Sequence, residues 1–255
     1  MDKYKEKFET IESTENVKVL GGFNIGSRNW NYNVEDSDHD LRFVYTRDVF
    51  DYLRLDEKEK TLSYPLDGEY DVQGWDIDRF LSMVSKHNVL ACEALFSTIE
   101  YGETDFIYKI RKYANEHFVF DKFAIQYVKI LEREIARLKT LDKVPVKSLI
   151  FCLRIICMMN YMKEFNQFPE CSFQTLFLAN SNKSIEKVIN SLIIYRRNGN
   201  PDLLDSIELM KLLDNYCNKF KQNINYSSRE DTNITELNAL LYEGVNLYNS
   251  NKKTL

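Results

Sequence analysis

Residues 24–45 constrain the fold more than any other part of the chain. They contain the end of one β-rich segment, a short polar connector and the start of a second β-rich segment. The first segment, 17–25, is nearly unbroken in apolar character, which is typical of a buried strand, and it ends at Gly26-Ser27. The second predicts a strand over residues 39–46, opened by acidic residues. The chain therefore predicts two consecutive strands joined by a polar connector.

Asp38 and Asp40 share one face of the second predicted strand, because successive side chains in a strand point to opposite faces. Two carboxylates this close together both ionise at low cost only when a cation lies between them. The Gly26-Ser27 turn just before them lets the backbone approach a phosphate closely. These residue types in this order indicate metal-dependent phosphoryl or nucleotidyl transfer.

The acidic stretch also matches the first three ligands of an EF-hand calcium loop, with Asp36, Asp38 and Asp40 at alternate positions. The match fails further on, because Leu41 stands where the sharp turn needs glycine and Arg47 where the bidentate glutamate is needed. A solvated turn is the simplest alternative, since Asp and Ser favour turns. The β-rich segments on both sides and the preceding Gly-Ser turn disfavour it.

A phosphate-binding P-loop is the other motif to consider, because Gly21 and Gly26 have its spacing. It is excluded because Ser27 and Arg28 replace the required Lys and Ser/Thr.

The combination of Gly26-Ser27, a gap of ten residues and Asp38-x-Asp40 resembles the signature of the DNA polymerase β-like nucleotidyltransferase superfamily. More closely, Gly-Ser-Arg-x-Trp followed by Asp-Ser-Asp-x-Asp-x-Arg-Phe-Val-Tyr resembles a family of bacterial and phage predicted nucleotidyltransferases, some of them associated with RNA repair. The resemblance is sharp over residues 20–101 and faint elsewhere. Asn31 departs from the usual glycine, although asparagine tolerates left-handed backbone well.

The resemblance implies transfer of an NMP from an NTP to a hydroxyl acceptor by a two-metal mechanism, with an RNA end, a protein or a small molecule as acceptor. Asp38, Asp40 and a third carboxylate from a neighbouring strand would hold two Mg²⁺ or Mn²⁺ ions. A hairpin predicted over 59–76 supplies the third ligand. Asp71 is favoured, and Asp76 is the alternative, although its simpler interpretation is the N-cap of the following helix.

Four basic side chains are candidates for nucleotide binding. Arg28, together with Gly26-Ser27, would seat the β- and γ-phosphates, and Arg42 follows the acidic pair along the strand. The alternative for both arginines is a surface charge or an ion pair with the aspartates. Lys147 and Arg154 share one face of a later predicted helix. The two basic residues on this face indicate contact with an anion such as the nucleotide. The alternative is that they simply lie at the solvated edge of the helix.

The overall pattern predicts the α+β class. A small nucleotidyltransferase domain with a short mixed β-sheet is expected over residues 1–103, and a helical C-terminal domain over 104–255. Strand signals nearly disappear from residue 77 onward, where apolar residues recur with helical periodicity. We expect the active site to lie between the two domains.

Charge and composition limit which partners, bonds and cellular location are to be expected for this chain. A net charge of −5 disfavours sequence-independent binding of nucleic acid by the whole surface. Five unclustered cysteines, without a Cys-x-x-Cys pair, argue against disulfides and a zinc site. The charged N-terminus lacks a signal sequence, and no apolar run is long enough to span a membrane. We therefore expect a protein of the cytoplasm of a bacterial or phage-infected cell.

The alternative to an enzyme is a catalytically degenerate protein that binds a nucleotide or a partner through the same cleft.

Overall fold

The computed structural model describes residues 2–56, 58–67, 69–203, 206–227 and 233–252. Within these ranges an N-terminal helix and a five-stranded sheet precede a largely helical region, which confirms the predicted α+β class. The N-terminal elements are α1 Asp2–Glu15, β1 Lys18–Ile25, α2 Gly26–Asn29, β2 His39–Thr46, a 3-10 helix Val49–Tyr52, β3 Thr61–Asp67, β4 Tyr70–Asp76, α3 Ile77–Ser85, α4 Val89–Leu95 and β5 Thr98–Gly102.

The helices that follow are α5 Thr104–Glu116, α6 Phe120–Leu138, α7 Val146–Phe165, α8 Phe173–Leu176, α9 Lys183–Arg197, α10 Ile207–Asn223 and α11 Ile234–Lys252. Of these, α5 and α11 pack against elements of the sheet unit, whereas α6, α7, α9 and α10 pack on one another. A two-residue strand, β6 Val144–Pro145, pairs with β7 Asp202–Leu203, and a 3-10 turn covers Asn180–Asn182. Among the described helices, none combines enough length with enough apolar sequence to span a bilayer.

The sheet is mixed, as predicted, with strand order β3-β4-β2-β1-β5. Strands β2 and β4 run parallel, whereas the other neighbouring pairs are antiparallel. This order puts β4 directly beside β2, with Asp71 opposite Asp40 in the register. The hairpin of β3 and β4 is also confirmed, although Gly68 of its predicted turn lies outside the described residues.

One face of the sheet packs against α1. Alternate β2 side chains, Leu41, Phe43 and Tyr45, are fully buried there with Phe8 of the helix. Gly22 makes the close approach possible, since a Cβ at this position would lie 2.5 Å from the Phe8 ring. The residues between these positions on β2 point to the opposite face, where Val44 is also fully buried and α3 contacts the strand, whereas Asp40 and Arg42 are half-buried.

Strand β5 was not predicted. It pairs antiparallel with β1 at the sheet edge, where Gly21 lies opposite Gly102. Ile99 and Tyr101 do alternate with polar residues, but the run is only five residues long and its side chains are exposed or half-buried. So short a run is a weak local signal, and backbone pairing with β1 is what makes it a strand.

The contacts divide the chain into two units. One comprises the described residues within 1–29, 37–117 and 231–255, and includes the sheet. The other comprises those within 30–36 and 118–230, and includes α6 to α10. The domain boundary expected after residue 103 stays a prediction.

Candidate active site

The centre of the candidate site is the contact between Gly26 and Asp40. Ile25, the last residue of β1, lies opposite Asp40 on β2. Gly26 then turns the chain into α2 with φ of +70°. A Cβ on Gly26 would lie 1.8 Å from Oδ2 of Asp40. The Asp40 carboxylate therefore rests directly on the glycine backbone, and no larger residue fits between them.

Replacing Gly26 by alanine is expected to displace the Asp40 carboxylate and to reduce nucleotide transfer strongly. The backbone conformation alone costs roughly 1–2 kcal/mol for a residue with a Cβ. Gly199→Ala is the matched control, because Gly199 has φ of +83° but no atom lies within 4 Å of the position that a Cβ would take there. Urea unfolding and transfer rates of both variants test this. Equal loss of transfer in the two variants would rule out a specific role of the Gly26–Asp40 contact.

Asp38 is exposed just before β2, and Arg28 holds the backbone on which it lies. Nε of Arg28 donates to the carbonyl of Ser37 at 3.0 Å and to that of Asp38 at 3.2 Å. Ser27 is buried beside Arg28 at the start of α2. Arg28 therefore positions the acidic segment in this structure, and its predicted contact with phosphate stays a prediction.

Asp71, the favoured third carboxylate, forms an ion pair with Arg42. Nη2 of Arg42 lies 2.9 Å from Oδ2 of Asp71. Nη1 donates to the backbone carbonyls of Asp71 at 3.3 Å and of Leu41 at 2.8 Å. The Asp71 side chain remains 45% exposed. The structure thus brings Asp40, Arg42 and Asp71 together at the paired strands β2 and β4, and it shows the ion pair that was the alternative for Arg42.

Asp76, the alternative third carboxylate, is fully buried and serves as the N-cap of α3. Its carboxylate accepts hydrogen bonds at 3.0 Å from both the Tyr52 hydroxyl and the Lys58 ammonium. Arg47 lies 3.8 Å away. Burial raises the pKa of the Asp76 carboxyl, and the Lys58 charge opposes the rise. Asp76 is thus enclosed by protein groups, and a structural role accounts for its surroundings.

A divalent metal ion needs several oxygen ligands close together. Among the described residues, no three His, Cys, Asp or Glu side chains are gathered closely enough to hold an ion. Asp38, Asp40 and Asp71 nevertheless provide the carboxylate oxygens that Mg²⁺ prefers, on β4 and at the start of the adjacent β2. They would form a metal site if the Asp71 carboxylate released Arg42 and bound the ion instead.

Lys147 and Arg154 lie on α7, in the second unit, and differ in their surroundings. Lys147 is exposed in the first turn of the helix. Arg154 is only 5% exposed, and its guanidinium lies 4.7 Å from the Trp30 ring and 5.2 Å from the Phe151 ring. Arg154 therefore orients aromatic side chains in this structure. Asn31 adopts left-handed backbone with φ of +53°, as its replacement of glycine implied.

Tyr52 and Lys58, which hold Asp76, were not predicted as partners of that carboxylate. Tyr52 ends the 3-10 helix Val49–Tyr52, and Lys58 lies in the irregular stretch before β3. The Lys58 ammonium lies 3.1 Å from the centre of the Tyr52 ring. One helical turn and an irregular stretch are too short for a periodic pattern to show which side chains turn inward.

Comparison with known proteins adds three findings. A family model described as "RlaP: RNA repair pathway DNA polymerase beta family" matches residues 1–243. The uncharacterized protein YcgL of Bacillus subtilis (strain 168) is 25% identical over 172 residues, which cover 67% of this chain and 66% of that protein. A crystal structure of a nucleotidyltransferase-like protein from Exiguobacterium sibiricum 255-15 aligns with 98% of this chain and 92% of its own, at 13% identity and a TM-score of 0.35.

Proposed function

Because this chain belongs to the RlaP family of the DNA polymerase beta superfamily, which is described as acting in RNA repair, we propose that it is a metal-dependent nucleotidyltransferase. It moves an NMP from an NTP to a hydroxyl acceptor, which is an RNA end, a protein or a small molecule. The observation that carries this proposal is the Asp40 carboxylate resting on Gly26, with Asp71 opposite it on β4.

Asp38, Asp40 and Asp71 are the proposed ligands of two Mg²⁺ or Mn²⁺ ions. When bound, such ions lower the pKa of an acceptor hydroxyl and neutralise the leaving pyrophosphate. The rest of the rate enhancement comes from positioning of the substrate and electrostatic stabilisation, which dominate phosphoryl-transfer catalysis. The backbone and side chains around the acidic segment contribute to both.

The residues around the aspartates have separate proposed tasks. Gly26 and Ser27 bring the backbone close to the phosphates. Arg28 keeps the backbone of Asp38 in place through its carbonyl contacts, and it offers positive charge to the phosphates. Arg42 holds the Asp71 carboxylate in place; where Asp71 would serve as a metal ligand instead, Arg42 would be able to pair with phosphate. Each task uses a contact or a position that the described residues already have.

Lys147 and Arg154 are also proposed to serve nucleotide binding, in different ways. Lys147 is exposed and able to contact a phosphate directly. Arg154 is buried between two aromatic rings, so it supports binding by holding those rings in place. Arginine is suited to this arrangement because its planar guanidinium stacks on aromatic faces.

A catalytically degenerate protein that binds a nucleotide or a partner is the second candidate function. The ion pair between Arg42 and Asp71 favours it, since a permanent pair would leave only two carboxylates for metal. The two candidates differ in one observable: the enzyme transfers label from an NTP, whereas the degenerate protein only binds.

The test is incubation of the purified protein with each of the four α-³²P-labelled NTPs, in Mg²⁺ and in Mn²⁺, with total cell RNA and with cell extract. An Asp38→Ala/Asp40→Ala double variant is the control. Label in RNA, protein or a small molecule with the wild type alone is the expected result, and it also identifies the base and the acceptor class. NTP binding without any transfer would reject the enzyme and support the binding protein.

A further inference from the structure

The second unit contains a cavity lined by Lys147, which is already proposed to bind a nucleotide, and by residues to which no role has yet been assigned. It lies where α6, the first turns of α7 and the segment around Tyr32 meet, and its volume is about 340 Å³. This volume is within the range of about 300–1,000 Å³ found for small-molecule sites. Its walls combine basic, aromatic and hydroxyl side chains.

The charge of the cavity wall is locally positive, although the chain as a whole is acidic. Arg133 and Lys147 are exposed on the wall, and neither makes an ion pair or hydrogen bond with another described side chain. The carboxylate on the wall, Glu134, receives hydrogen bonds of 3.0 and 2.6 Å from Arg137. These hydrogen bonds hold the pKa of Glu134 below its ordinary value, so Glu134 stays ionised and neutralised by Arg137. Arg133 and Lys147 are therefore available to an anion.

The aromatic part of the wall is held in place by arginines from behind. Phe151 is half-buried, and its ring lies 5.2 Å from the Arg154 guanidinium. Arg196 donates a hydrogen bond to the Tyr32 carbonyl, and its guanidinium lies 5.9 Å from the Tyr32 ring. Rings fixed in this way lose little conformational entropy when a flat ligand packs against them.

The Ser148 hydroxyl belongs to the polar network around Glu134. It accepts a hydrogen bond of 2.9 Å from Nη2 of Arg137, the same group that neutralises Glu134. Hydrogen bonding to Ser148 also contributes to the lowered pKa of the Glu134 carboxyl. The acidic side of the wall is thus satisfied within the protein, and the cavity offers a ligand positive charge and an aromatic ring within one small volume.

We propose that this cavity binds a nucleotide, with the phosphate on Arg133 and Lys147 and the base against the Phe151 ring. The inference rests on the proposed function and deepens it, by naming the cavity in which Lys147 meets the nucleotide and the residues that act with it. A free NTP and the terminal nucleotide of an RNA strand present the same chemistry of base and phosphate. Arg154 acts here as a positioning residue, because it holds Phe151 and Trp30.

The test is equilibrium binding to the full chain in EDTA, so that the result does not depend on transfer activity. One arm titrates a short fluorescent single-stranded RNA, and the other titrates each NTP. Lys147→Gln, Arg133→Gln and Phe151→Ala are compared with the wild type, and Lys163→Gln is the control because Lys163 is an exposed lysine elsewhere on α7. Thermal unfolding of each variant accompanies the titrations.

Each cavity variant is expected to weaken binding about tenfold, as the loss of one stacking or phosphate contact does. In the RNA arm, the slope of log K against log salt should fall by about 0.7 for each lysine or arginine removed. Lys163→Gln should match the wild type.

The two arms identify the source of the ligand. Weakened RNA binding with unchanged NTP binding assigns the cavity to an RNA terminus, and the reverse result assigns it to the free nucleotide. Unchanged binding in both arms for the exposed variants Lys147→Gln and Arg133→Gln would overturn the inference, as would equal weakening by Lys163→Gln. Either result would also remove Lys147 from nucleotide binding, whereas the transfer chemistry proposed for Asp38, Asp40 and Asp71 is judged separately, by label transfer.

Discussion

Replacing Asp40 by asparagine is expected to reduce nucleotidyl transfer by at least about a thousandfold, a loss of about 4 kcal/mol in transition-state stabilisation. Asparagine has nearly the same shape as aspartate, so it still fits against Gly26, and the folded structure should persist. What it removes is the negative charge that would hold a divalent ion. Single-turnover transfer of label, with urea unfolding of the same preparation, measures the two effects separately.

Three further substitutions test whether the loss of transfer is confined to the proposed metal ligands. Asp36→Asn removes an exposed carboxylate of the same acidic segment and should leave transfer near the wild-type rate. Asp71→Asn should cause a loss comparable to that of Asp40→Asn if Asp71 is the third ligand. Asp76→Asn should retain transfer, because Asp76 is enclosed by protein groups. Full activity of Asp40→Asn would refute the assignment of this site.

Replacing Asp76 by alanine is expected to lower the free energy of unfolding by about 3 kcal/mol, the lower end of the cost of breaking a buried ion pair. Lys58 loses the carboxylate that lies 3.0 Å from its ammonium but keeps the more distant Asp78, at 3.9 Å, and Tyr52 loses a hydrogen-bond acceptor. Loss of the N-cap of α3 contributes about 1 kcal/mol of this. Urea unfolding followed by tryptophan fluorescence measures the change.

A double variant shows whether the unpaired charge is the cause. Adding Lys58→Met to Asp76→Ala should restore about half of the lost stability, since replacing both members of a buried ion pair by apolar groups is often close to neutral. The raised pKa of Asp76 agrees with this, because burial outweighs the attraction of Lys58. Asp56→Ala removes an exposed carboxylate paired with Arg54 and should change stability little. No recovery in the double variant would mean that packing or helix capping dominates.

These predictions separate two groups of carboxylates that look alike in the sequence. Asp40 and Asp71 should matter for chemistry and little for folding, whereas Asp76 should matter for folding and little for chemistry. The difference follows from exposure: the Asp71 side chain is 45% exposed, and Asp76 is fully buried. A carboxylate must reach solvent or substrate to hold a catalytic metal ion.

The sequence by itself determined the local features of the site. The period-2 alternation placed Leu41, Phe43 and Tyr45 on the buried face of β2, so Asp40 and Arg42 had to point the other way. The glycine before the acidic segment indicated a close approach of the backbone to a phosphate, which stays a prediction; the structure places the Asp40 carboxylate against Gly26. These features depend on residues near one another in the chain, and short-range geometry is what a sequence pattern encodes.

Only the tertiary structure decided which partner each of these side chains has. The parallel pairing of β2 with β4 sets Asp71 opposite Asp40 and within reach of Arg42, and no local pattern specifies that register. The same holds for β5, which exists through its pairing with β1. It also holds for Asp76, whose partners Tyr52 and Lys58 come from the connection between β2 and β3. The physical reason is that ion pairs and burial join groups that are far apart in the chain. These groups come together only when the strands and helices that carry them pack into the folded unit.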